Sequence, residues 1–102
     1  AGDEVAAHRL LLAAVPNELR MSFRSRVLGP VLAYDTEHRS ELAHTLRVFL
    51  ECSGSWAHAS AELHVHVNTL RYRIGRVAEL TGRDLTRFAD RVDLYLALVH
   101  GE

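Results

Sequence analysis

Apolar residues recur along this chain three and four apart, and no alternating apolar run is bounded by Asn-Gly or Asp-Gly. The pattern therefore predicts helices and no strands. Val5 to Val15 is apolar on most sides and ends at Pro16-Asn17. Leu19, Phe23 and Val27 then repeat at fours, and Gly29-Pro30 is expected to stop that segment. A short piece from Pro30 to Tyr34 follows. Asp35 and Thr36 are N-cap types for a helix whose core face is Leu42, Leu46, Phe49 and Leu50. Ser53-Gly54-Ser55 ends it, with Gly54 suited to a left-handed cap. Ser55 is placed to cap a short helix from Trp56 to Leu63, and His64-Val65-His66 forms a turn. A longer helix is expected from Val67 to Thr81, closing at Gly82. The last helix runs from Thr86 to about Val99, with Leu85, Phe88, Val92, Tyr95, Leu96 and Val99 on one face, widened by Leu94 and Leu98. A face that wide belongs to a central helix or to one shared with a partner chain. The expected fold is all-α, a helical bundle with a lead-in segment over residues 1–34 and a second unit over 35–102.

Residues 55–81 carry the pattern with functional content. A helix-turn-helix needs a small residue where its second helix crosses the first. It needs one apolar plug in the turn, and a second helix with one buried face and one polar, basic face. Ala59 fits the crossing, Leu63 sits one turn later, and Val65 is the plug. On a helical wheel Val67, Leu70, Ile74, Val77 and Thr81 share one face, widened by Ala78 and Leu80. Asn68, Tyr72, Gly75 and Glu79 point away from it, with Thr69 and Arg76 flanking on one side and Arg71 on the other. The exposed N-terminal half thus offers Asn68, Thr69, Arg71 and Tyr72, types that hydrogen-bond base edges and phosphates. His66 stands where it would cap the helix or touch the backbone of a nucleic acid, and the helix N-terminus adds amides suited to a phosphate. Arg73 projects about 60° from the buried face of a 3.6-residue helix. It is read as structural or phosphate-contacting, its stem packed along the bundle.

Charge distribution supports that face. The net charge of the whole chain is −1, which by itself argues against nucleic acid. Residues 67–91, however, hold six arginines (71, 73, 76, 83, 87 and 91) against the three acids Glu79, Asp84 and Asp90. A local basic patch matters more for phosphate binding than the total. All basic residues other than histidine are arginine, the type suited to bidentate contacts, although coding bias accounts for much of that. No apolar run approaches the roughly 18–20 residues that span a bilayer, and no secretory signal is legible. The single cysteine, Cys52, excludes an internal disulfide and fits a reducing, cytoplasmic setting; beside Leu50 it reads as a small core residue. The chain begins Ala1-Gly2 without methionine, so a piece of a longer protein is expected.

The run Ala61-Glu62-Leu63-His64-Val65-His66-Val67-Asn68-Thr69-Leu70-Arg71-Tyr72-Arg73-Ile74, continued by Arg76-Val77 and Glu79-Leu80-Thr81-Gly82-Arg83-Asp84-Leu85, resembles the C-terminal helix-turn-helix domain of the PucR family of bacterial transcriptional regulators. Leu28-Gly29-Pro30-Val31-Leu32, Tyr34-Asp35, Glu41-Leu42, Thr45-Leu46 and Leu94-Tyr95-Leu96-Ala97-Leu98 extend the resemblance over about residues 28–99. It implies a sequence-specific DNA-binding domain, effector-sensing domains N-terminal to it, and binding to promoter DNA as a dimer or higher oligomer. Val67 stands where that family usually carries arginine or proline, which removes one phosphate contact. The segment is also similar, more distantly, to the helix-turn-helix of the Fis nucleoid protein family. That similarity implies DNA contacts at His66, Thr69, Arg71 and Tyr72.

The expected DNA-binding residues are therefore His66, Asn68, Thr69, Arg71, Tyr72, Arg73 and Arg76, on double-stranded DNA, with no cofactor. Three rivals compete. A metal site at His58, Glu62, His64 and His66 would need more than a bare His-x-His pair. An enzyme lacks any nucleophile elbow, phosphate loop or paired-carboxylate signature, and Asp90 and Asp93 read as solvated charges. A helical dimerisation or protein-interaction module without DNA binding draws support from the broad apolar faces of 5–15 and 86–99.

Overall fold

In the computed structural model, which describes residues 6–99, six helices are connected by short turns: α1 (Ala7–Ala14), α2 (Asn17–His38), α3 (Leu42–Glu51), α4 (Trp56–Leu63), α5 (Val67–Thr81) and α6 (Phe88–Val99). No strand occurs among the described residues, so the fold is all-α. Val5, expected in the first helix, lies outside them. One core collects Val27, Leu28 and Val31 from α2, Leu42, Leu46, Val48 and Phe49 from α3, and Ala59 from α4. From α5 and beyond come Leu70, Ile74 and Val77, then Leu85, Leu94, Ala97 and Leu98. Burying an aliphatic side chain of this kind contributes about 1.5–3 kcal/mol.

Gly29-Pro30 does not stop a helix. α2 runs through Pro30 as one segment of 22 residues, and the expected division between residues 34 and 35 falls inside it. A proline inside a helix costs about 3 kcal/mol through its missing N–H and its ring. Two features offset that here. Val27, Leu28 and Val31 around it are buried, while Pro30 itself is exposed. Gly29 has no Cβ to meet the proline ring, which removes the usual clash that pushes the preceding residue out of the helical region.

Asp35 and Thr36 do not start a helix either. Both lie in the last turns of α2, where the Thr36 hydroxyl donates to the Leu32 carbonyl at 3.1 Å. α2 ends at Arg39 in the left-handed region. Asp35 nevertheless caps α3 from outside it. Its carboxylate accepts from the backbone N–H of Leu42 (2.8 Å) and of Ala43 (3.0 Å) and from the Ser40 hydroxyl (2.6 Å). The residue type expected to cap α3 does so, six positions upstream of Glu41, where a local cap would sit.

The turn from α3 to α4 passes through Ser53 and Gly54, both with positive φ. A Cβ on Gly54 would lie 2.5 Å from the Arg91 guanidinium, the movable end of a long side chain, so the position favours glycine chiefly for its backbone. After Gly82 a loop is pinned to α6: Arg83 pairs with both Asp90 (3.4 Å) and Asp93, and the Asp84 amide donates to Asp90 at 3.0 Å. Asp90 and Asp93, expected as solvated charges, are thus partners of Arg83. α6 starts two residues later than the spacing predicted, and only part of the expected face is buried: Leu85, Val99 and the widening Leu94 and Leu98. Leu94, Ala97, Leu98 and Val99 are inside, whereas Phe88 is 81% exposed and Val92, Tyr95 and Leu96 are half-buried.

Replacing Asp35 by alanine removes three acceptor contacts from the start of α3. It is expected to lower unfolding free energy by about 2 kcal/mol, read as a lower urea midpoint with unchanged slope.

Candidate nucleic-acid interface

Local chemistry sets the angle between α4 and α5. The Ser55 hydroxyl accepts from the His58 amide at 3.2 Å and starts α4. His64, in the left-handed region, ends it. His66 Nδ1 accepts from the Asn68 amide at 3.0 Å and caps α5, which leaves the proton of the neutral ring on Nε2, facing away from the cap. Gly82, also left-handed, closes α5. Ala59 is fully buried. Its methyl group is small enough for α5 to pass close by. Leu63 and Val65 pack half-buried against the same core.

Leu70 and Val77 are fully buried and Ile74 nearly so. With that stripe facing inward, His66, Asn68, Thr69, Arg71 and Tyr72 are all exposed along the first two turns of α5; Tyr72 keeps 63% of its surface in water. Five of the seven expected residues therefore share one open face, at the end of the helix where backbone N–H groups and the positive end of the dipole also lie.

The other two differ. Arg73 is half-buried and donates to the hydroxyl of Thr45 on α3 at 3.3 Å. Thr45 is the buried polar residue of the core, and Arg73 satisfies it; the stem packing expected for Arg73 ends in a tie between α5 and α3. Arg76 is half-buried between two rings, its guanidinium carbon 5.4 Å from the Tyr34 centroid and 5.9 Å from that of Tyr72. It donates to the Tyr72 hydroxyl at 3.3 Å and lies 4.0 Å from Glu79. The Tyr72 hydrogen bond, with smaller contributions from Tyr34 and Glu79, holds the Arg76 guanidinium above its already high ordinary value.

Arg71 has an aromatic neighbour of its own. Its guanidinium carbon lies 4.8 Å over the ring of Trp56, which in turn packs on Phe49 at 4.7 Å. Neither Trp56 nor Tyr34 stands out in the pattern of the chain. Each stands outside α5, and the pairing depends on how α2 and α4 flank it. The only trace in the sequence is an aromatic residue beside each neighbouring helix end.

Chemistry of other kinds finds little foothold. Among the described residues no three His, Cys, Asp or Glu side chains gather to hold a metal. The Cys52 thiol donates to Glu62 at 3.2 Å. That hydrogen bond first, then desolvation and the charges of Glu62 and Glu51, push the thiol above its ordinary value, which opposes nucleophilic use at neutral pH. No described helix is long and apolar enough to cross a membrane.

Comparison with known proteins agrees with this geometry. The sequence model of the PucR C-terminal helix-turn-helix domain matches residues 42–99. The chain is 37% identical over 89 residues to the uncharacterized protein YsfB of Bacillus subtilis (strain 168), covering 87% of this chain and 23% of that protein. It is 35% identical over 79 residues to the proline-responsive transcriptional activator PutR of the same organism, covering 78% and 19%. It is 35% identical over 91 residues to the carbohydrate diacid regulator of Escherichia coli (strain K12), covering 87% and 24%. The match thus spans about a fifth to a quarter of the length of these relatives. No solved structure matches the chain.

Two outcomes check the geometry. Ala59→Leu should destabilise the fold by about 1–3 kcal/mol through overpacking at the helix crossing, measured by thermal unfolding. The pH at which Cys52 reacts at half its maximal rate with a thiol reagent should lie above that of a free cysteine. Glu62→Gln should bring it down, because the carboxylate that favours the protonated thiol is gone.

Proposed function

The chain belongs to the PucR C-terminal helix-turn-helix domain family, and on that premise we propose that it is the DNA-binding domain of a bacterial transcriptional regulator, with α5 entering the major groove. The observation that carries this reading is the open face of α5. His66, Asn68, Thr69, Arg71 and Tyr72 are exposed together on a helix whose aliphatic stripe is anchored to α3 and α4. Arg71, Asn68 and Thr69 are base-edge and phosphate partners. His66 and Tyr72 flank them with single polar groups. Arg76 supplies positive charge behind that face, and Arg73 acts inside the fold by holding Thr45.

The fuller reading follows the relatives. PutR is by name a proline-responsive activator and the Escherichia coli relative a carbohydrate diacid regulator; each is several times longer than the matched stretch. We read this chain as the output end of a cytoplasmic regulator whose effector-sensing domains precede it, binding double-stranded DNA as a homo-oligomer. The exposed Phe88, Leu10 and Leu11 favour contacts beyond a lone domain. The DNA-binding unit begins within α2, because Val27, Leu28 and Val31 share the core with α5 and α6. A bundle that binds only protein is the weaker reading, since it leaves the polar, arginine-bearing face of α5 without a role.

Arg71→Ala should weaken binding to a duplex selected by the parent protein by about 1–3 kcal/mol while leaving the unfolding midpoint almost unchanged. Parent binding should fall steeply between low and moderate salt. Equal affinity of variant and parent would remove Arg71 from the reading face. Salt-independent binding would point to a protein partner instead.

A further inference from the structure

Tyr34 lies on α2, outside the helix-turn-helix, yet its ring is built into the surface that α5 presents. One side stacks on His38, with centroids 4.0 Å apart and planes 20° from parallel. The Arg76 guanidinium carbon is 5.4 Å from its centroid. Arg76 in turn donates to the Tyr72 hydroxyl at 3.3 Å, and Arg76 Nε is buried without an acceptor. The order His38, Tyr34, Arg76, Tyr72 is thus continuous from the end of α2 to the exposed face of α5.

We propose that Tyr34 is a positioning residue of the DNA interface: it seats Arg76, and Arg76 sets Tyr72 as a hydrogen-bond donor to an acceptor on DNA. This rests on the DNA-binding reading above. The chemistry has two steps. A guanidinium attracted to an aromatic face loses fewer conformations when it enters an interface, because part of its ordering is already done in the free protein. A tyrosine hydroxyl has one proton and two acceptor lone pairs. When Arg76 donates to one lone pair, the O–H proton stays available for an oxygen or ring nitrogen outside the protein. Tyr72 then favours acceptors, which are phosphate oxygens, guanine O6 and N7, adenine N7 or thymine O4, since only one lone pair is left for the amino donors of cytosine and adenine. The alternative arrangement, a Tyr72 free to rotate and accept, would make no such choice.

The test uses the full chain and a duplex that the parent selects from a randomised pool. Tyr34→Leu keeps an apolar side chain but removes the ring; it should weaken binding two- to fivefold, the size of an exposed cation–π contact. Tyr34→Phe should bind like the parent. In an Arg76→Ala background, Tyr34→Leu should have no further effect. In the DNA-free protein, the Arg76 side-chain proton resonances should move on Tyr34→Leu and stay in place on Tyr34→Phe, a readout that a general loss of packing would not produce selectively. Parent-like affinity of Tyr34→Leu, or an equal loss in the Arg76→Ala background, would overturn the proposal while leaving DNA binding intact. A parent protein that selects no duplex would overturn both.

Discussion

Leu70, Ile74 and Val77 cannot leave the core without taking α5 with them. The three side chains lie one helical turn apart and are all buried, against α3 on one side and the methyl group of Ala59 on the other. The rotation of α5 about its own axis is therefore fixed by hydrophobic burial of several kcal/mol. Every statement about which polar residues face outward depends on that rotation. The caps at Ser55, His66 and Gly82 fix where α4 and α5 begin and end, but they do not orient the face. The stripe does.

Once α5 is oriented, its arginines divide according to what lies beside them. Arg73 turns inward and meets the hydroxyl of Thr45, so its charge stays at the edge of the fold. Arg71 rests over Trp56 from α4, and Arg76 lies between Tyr34 from α2 and Tyr72. The exposed face is thus bounded on two sides by aromatic rings belonging to neighbouring helices. A net charge of −1 is no obstacle in such a molecule. Binding to a polyanion depends on the field where contact occurs. Several of the acids are engaged within the fold: Asp35 caps α3, while Asp90 and Asp93 hold Arg83.

The helix-turn-helix was legible from the chain because its determinants are local. Serine before α4, histidine before α5, glycine after it and a 3.6-residue stripe act within a few positions of where they stand, and their ranges agree with the structure. Elsewhere tertiary packing decided the outcome. Gly29-Pro30 reads as a stop until Val27, Leu28 and Val31 are seen buried around it. Asp35 reads as the start of a helix, whereas it caps a helix that begins seven residues later. On α6 the apolar surface covers so much of the helix that periodicity could not choose between Phe88, Val92 and Leu96 on one side and Leu94, Ala97 and Leu98 on the other. The bundle buried the second set. For the interface, the exposed residues followed from the wheel, but Tyr34 and Trp56 did not, since their contacts cross from one helix to another.

Amide resonances followed during titration with a selected duplex test the orientation of α5 most directly, because each reports one backbone position without altering the protein. The largest changes are expected on residues 66–72 and on Arg76, with α1 and the exposed side of α6 nearly silent. Changes concentrated around Phe88, Val92 and Tyr95, with residues 66–72 unmoved, would contradict that orientation.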